Sequence, residues 1–159
     1  MASKEATVNL VEYLPEAAIS TDLKSQSKKE VLKEMVNLLA GAHQIKDAEK
    51  VLDALLEREE LGSTGIGQGI AIPHGKSDVV GKTVAALGVS KKGIDFDALD
   101  GEPVYLFFML VAPASSSGVH LKILAKISRL LKDKFFRQGL REAKNAEEAI
   151  RQIKEENDY

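Results

Sequence analysis

Among residue types that carry a covalent intermediate or move a proton, the sequence offers no cysteine and three histidines, His43, His74 and His120. Without cysteine there are no disulfides, thiolate metal sites or cysteine nucleophiles. His43 falls between two predicted helices and is assigned no chemistry. With no H-x-x-x-H pair and no thiolate, neither a metal nor a cofactor is expected. His74 follows an apolar segment and stands between Pro73 and Gly75. Proline restricts the backbone there and glycine leaves the ring uncrowded. That is a way to display a side chain at a strand end, where α/β folds place their sites. His120 lies in the first turn of a predicted helix, where free N–H groups and the helix dipole attract anions. Arg58 closes the helix before a glycine-rich stretch and carries the planar fork that suits phosphate. Ser63 and Thr64 open that stretch as candidate phosphate-binding hydroxyls. Two imidazoles, a guanidinium and a Ser-Thr pair suit a phosphohistidine: a neutral imidazole attacks, and the other donors hold charge on the transferring oxygens.

The glycines invite two nucleotide readings, and both fail on spacing. Gly65-x-Gly67-x-Gly69 lacks the G-x-G-x-x-G interval and runs into a strand-like segment with Pro73, where a dinucleotide fingerprint opens a helix. Gly75-Lys76-Ser77 resembles the end of a Walker A loop, but its partner glycine would stand at Ile70.

The elements that position these residues follow from the pattern. Asn9-Leu10-Val11 suggests a short strand. Ser27 with Glu30 forms a capping box before Val31, Leu32, Met35, Val36 and Leu39 at helical spacing, with Gly41 as the C-cap. Asp47 caps a second helix carrying Val51, Leu52 and Leu55, ending near Leu61. Strands are expected at 70–72, with Pro73 at their end, at 84–90, and at 104–111, the last apolar enough for the centre of a covered sheet. A third helix is expected over 119–132, with Leu121, Leu124, Ala125, Ser128 and Leu131 inward. A fourth follows Asp133 with Phe135, Phe136 and Leu140 inward, and Asn145 with Glu148 opens a fifth through Ile150 and Ile153. Strands interleaved with helices imply an α/β sandwich, a mixed β-sheet flanked by helices. The charged chain ends are expected to fray.

Composition sets the frame. At 159 residues, one domain over 1–159 is expected. Lys and Arg total 22 against 24 Asp and Glu, a formal charge of −2, so there is no basic excess for a nucleic acid. The longest apolar run, 104–112, is about nine residues, where a membrane span needs about 20. The N-terminus carries no signal-peptide pattern, and a cytoplasmic location is expected.

The segment LGSTGIGQGIAIPHGK, residues 61–76, resembles the phosphorylation-site signature of the fructose–mannitol–nitrogen (type 2) class of IIA proteins of the bacterial phosphotransferase system. The resemblance continues through IDFDALDGEPVYLFFMLVAP and HLKILAKISRLL, and covers about 8–153. It implies an α/β sandwich in which His74 accepts a phosphoryl group through Nε2, His120 assists transfer, and Arg58 lies beside His74. It implies the phosphocarrier HPr as donor and a cysteine of a IIB domain as acceptor. Since this chain has no cysteine, the IIB site is expected on a separate chain. No direct membrane insertion is expected, only a peripheral link through IIB to a IIC permease. The wording GIAIPHGK and LFFMLVAP leans to a fructose-type sugar carrier. The alternative is a nitrogen-type regulator whose phosphorylation state controls partner proteins. A domain cut from a transcription regulator is disfavoured by the complete-looking start.

Overall fold

The sheet is organised around β6 (Val104–Ala112), a nine-residue strand in which every side chain but that of Tyr105 is buried. Near-continuous apolar runs of this kind belong where both faces of a sheet are covered. The computed structural model describes residues 8–157. In it β5 (Val84–Ile94) pairs with β6 antiparallel, from Val84 opposite Val111 to Ile94 opposite Val104. On the other side of β6 lie β3 (Ile70–Ala71) and β4 (His74–Lys76), both parallel to it. β1 (Ile19–Ser20) runs parallel beside β5, and β2 (Gly65–Gly67) folds back antiparallel on β3. The result is a mixed six-stranded sheet ordered β1-β5-β6-β3-β2, with β4 on β6.

β3 and β4 are one strand interrupted by chemistry. Ile70 faces Leu106 and His74 faces Leu110, so the register is the same before and after the gap. Pro73 lies in that gap and has no N–H to give the ladder. Its carbonyl still accepts the Leu110 N–H at 2.9 Å. The strand therefore continues in direction, keeping its acceptor but losing one ladder donor immediately before His74.

Five helices flank the sheet among the described residues: α1 (Lys28–His43), α2 (Ala48–Glu60), α3 (Ser117–Leu130), α4 (Lys134–Glu142) and α5 (Ala146–Asn157). The single α/β domain is the one expected from the alternation of elements. Its helix starts are where the caps predict them. Ser27 accepts the Glu30 N–H at 3.2 Å and donates back to the Glu30 carboxylate at 2.9 Å. Asp47, Asp133 and Asn145 accept the N–H groups of Lys50, Phe135 and Glu148. No helix among the described residues is long and apolar enough to cross a membrane.

Several local expectations are corrected. Asn9 does not open a strand; its side chain caps a short 3₁₀ turn, Leu10–Glu12. Gly41 does not end α1. The helix runs on to His43, whose Nε2 lies 2.9 Å from the Ala85 carbonyl, and Gln44 takes the left-handed position with φ 56°. That tether holds one more turn than glycine would predict. The α3 stripe is only partly as expected: Leu131 is buried and Leu124 packs against the core, but Leu121 and Ala125 face out, and His120, Ile123, Ile127 and Leu130 take the buried positions. On α4, Phe136 and Leu140 point inward and Phe135 is exposed. The expectation of fraying concerns mainly residues outside the described range.

Candidate functional site

His74 is aimed by the strand that precedes it. Carbonyls alternate sides along a strand, so with that of Pro73 committed to β6, that of Ile72 points away from it. The Ile72 oxygen lies 2.8 Å from His74 Nδ1. A carbonyl can only accept, so Nδ1 must carry the proton, and in the neutral ring Nε2 is left with a lone pair. The Ile72 N–H in turn donates to the Thr64 carbonyl at 3.0 Å. The ring is half-buried, fixed at one nitrogen and available at the other.

His120 comes from α3. It is only 3% exposed, and its ring centre stands 5.8 Å from that of His74 with the planes tilted by 50°. Nδ1 of His120 is buried with no hydrogen-bond partner among the described residues. Burial, with smaller contributions from the neighbouring His74 and Lys76, pushes its pKa down to about 4. At neutral pH the ring is therefore uncharged.

A cavity of about 450 Å³ joins the elements. It is lined by Arg58 and Leu61 from the end of α2, His74 and Lys76 from β4, and His120 and Leu121 from α3. α2 packs against β4 at Gly75, where a Cβ would sit in van der Waals contact with the Ala54 carbonyl at 3.4 Å. The Arg58 guanidinium donates to the Gly62 carbonyl at 2.9 Å, which bends it over the loop. Lys76 has no role in the sequence reading. It lies two residues beyond His74, hence on the same side of the strand, and that parity was the available signal. Its ammonium donates to the Ser117 hydroxyl at 2.8 Å and ties β4 to the first turn of α3.

The structure thus brings His74, His120 and Arg58 together. Ser63 and Thr64 lie elsewhere and do not line the cavity. The Ser63 hydroxyl donates to the Phe96 carbonyl and accepts the Gly65 N–H, both at 3.0 Å. Thr64 is buried, and its N–H and hydroxyl both point at the Glu59 carboxylate. Both hydroxyls shape the loop. The rim is apolar: Leu61 and Leu121 are 83% and 65% exposed.

These features define an α/β protein with a paired-imidazole cavity at a strand end, one ring displayed and the other buried and neutral. Residues 12–156 match the phosphoenolpyruvate-dependent sugar phosphotransferase system EIIA 2 family, and the chain belongs to that family. Among its relatives, the fructose-specific EIIA component of Haloferax volcanii is 40% identical over 82% of this chain and 85% of its own. The fructose-specific EIIABC component of Bacillus subtilis is 38% identical over 95% of this chain, which spans only 24% of that protein. The crystal structure of nitrogen regulatory protein IIA-Ntr from Neisseria meningitidis is 36% identical, covers 91% of this chain and 98% of its own, and superposes with a TM-score of 0.84.

Proposed function

We propose that this protein is a phosphoryl carrier that accepts from phospho-HPr on His74 Nε2 and donates to a cysteine of a IIB domain on a separate chain. The observation that carries the reading is the His74 Nδ1 to Ile72 carbonyl bond, which leaves Nε2 as the nucleophile. In acceptance the Nε2 lone pair forms a bond to phosphorus as the bond from the donor breaks and its electron pair returns to HPr, while the proton stays on Nδ1, hydrogen-bonded to the Ile72 oxygen. In donation the IIB thiolate bonds to phosphorus and the electron pair returns to Nε2.

The neutral His120 assists without placing a second positive charge beside a charging His74. A buried N–H with no acceptor is costly, which favours the proton on Nε2, where it is available to a phosphoryl oxygen. Arg58 offers a planar cation to the same oxygens. The exposed Leu61 and Leu121, which line the same cavity, supply apolar contact for HPr and IIB in turn. We place the reaction in the cytoplasm, with a IIC permease reached only through IIB.

A sugar role of the fructose type and a nitrogen-regulatory role both fit, since relatives of similar identity carry each name. In the second role the phosphorylation state itself is read by partner proteins. Incubation with enzyme I, HPr and labelled phosphoenolpyruvate tests the common core. Label is expected on the wild type and absent from His74→Ala; label on a folded His74→Ala protein overturns the assignment. Passage of that label to a fructose IIB domain then separates transport from regulation.

A further inference from the structure

Glu59 lies outside the cavity, yet it ends a continuous set of hydrogen bonds that begins on the displayed imidazole. His74 Nδ1 donates to the Ile72 carbonyl at 2.8 Å. The Ile72 N–H donates to the Thr64 carbonyl at 3.0 Å. The Thr64 N–H donates to the Glu59 carboxylate at 3.1 and 3.3 Å, and the Thr64 hydroxyl donates to it as well. Glu59 is 9% exposed and is neutralised by the Lys28 ammonium at 2.9 Å, itself 4.7 Å above the Phe96 ring. We propose that Glu59 is a positioning residue for His74: by clamping Thr64 it fixes the Ile72 carbonyl, and so holds the proton of the imidazole on Nδ1.

The geometry favours this over a loop anchor alone. A buried carboxylate is expensive unless its donors are well placed, and an apolar contact would pin a surface loop more cheaply. Here the backbone and hydroxyl donors both come from Thr64, whose own carbonyl accepts the Ile72 N–H two residues before His74. Arg58 and Glu59 are consecutive, so one helix end both faces the cavity and sets the nucleophile from behind. The Ile72 oxygen must stay in place, because an imidazole released from it can carry its proton on either nitrogen, and only one form has a nucleophilic Nε2.

The inference rests on His74 being the phosphoryl acceptor, but its readout does not. Nitrogen-15 NMR of the neutral His74 ring in the unphosphorylated protein measures the proton's position directly. Wild type should hold the Nδ1–H form. Thr64→Val, which keeps the Glu59–Lys28 pair, and Glu59→Gln should each raise the Nε2–H share. The loss of one hydrogen bond corresponds to about a fivefold change in the ratio. The rate of labelling by phospho-HPr should fall by a similar factor, and Thr64→Ser should restore both. If Thr64→Val and Glu59→Gln, folded by their remaining amide shifts, keep the wild-type proton position and labelling rate, the positioning role is overturned. A wild type in the Nδ1–H form that takes no label at His74 would instead overturn the carrier reading and leave the positioning role standing.

Discussion

α1 and α3 both lie against the sheet and do different work. The buried stripe of α1 is Val31, Leu32, Met35, Val36, Leu39 and Ala40, all apolar. That of α3 is His120, Ile123, Lys126, Ile127 and Leu130, with two ionisable side chains among five. The first helix spends its whole inward face on packing. The second gives up part of that packing to place an imidazole beside His74, and its outward Leu121 joins the cavity rim. A helix that carries chemistry is recognisable here by polar groups where apolar ones would be more stable. Changes on α1 should therefore alter stability with little effect on transfer, and a change at His120 of α3 should alter transfer as well.

The largest effect expected on the α3 side is kinetic. His120→Ala removes a donor to the phosphoryl oxygens while leaving His74 Nε2 untouched. Acceptance should survive, and onward transfer to IIB should slow by about 10²–10³, the usual consequence of losing one donor to a transferring oxyanion. Single-turnover assays with phospho-HPr and, separately, with the prephosphorylated protein measure the two steps. Lost acceptance with normal donation would reverse the roles given to the two rings.

Next comes an acid-dependent loss of stability traced to the buried imidazole of α3. His120 stays neutral in the folded protein down to about pH 4, while in an unfolded chain it charges near its ordinary 6.5. Between those values the unfolded chain binds a proton that the folded one does not, so stability is lost as pH falls from about 6.5 towards 4. At 1.36 kcal/mol per pKa unit the full loss from this group is roughly 3 kcal/mol. Urea unfolding at pH 7 and pH 4.5 should show it, and His120→Gln should reduce the difference. An unchanged pH dependence in that variant would remove His120 as the cause.

The same contrast explains what was legible in the sequence. α1 was readable because its stripe is apolar at every inward position, and its capping box closes as the spacing implies. The α3 face is legible only in part: apolar spacing reaches Leu124 and Leu131, which do pack inward, but it also points to the exposed Leu121 and passes over His120 and Lys126, which are buried. His74 was found because Pro73 and Gly75 mark a strand end in one dimension. Lys76 was passed over, although strand parity alone puts it beside His74. The placement of Ser63 and Thr64 was not legible, because it depends on Glu59 being buried, and nothing in a run of charged residues at a helix end distinguishes the inward one. Gly41 misled because the feature that extends α1, the bond from His43 to Ala85, joins residues 42 apart.

The smallest effect sharpens the comparison from the α1 side. Gly88 of β5 lies directly under α1, and a Cβ there would meet the Met35 sulfur at 2.5 Å and a Leu23 methyl at 2.7 Å. Both atoms lie in the outer part of flexible side chains rather than on backbone, so Gly88→Ala forces repacking without breaking the strand. Overpacking of this kind costs about 1–3 kcal/mol. The prediction is a lower urea midpoint with an unchanged slope, together with wild-type rates of labelling and onward transfer under conditions where the variant is folded. Gly88 lies on the β1 side of β6, with that strand between it and β4. A transfer defect in folded Gly88→Ala would therefore mean that packing under α1 reaches the imidazoles, and that the two helices do not divide their work as their buried faces imply.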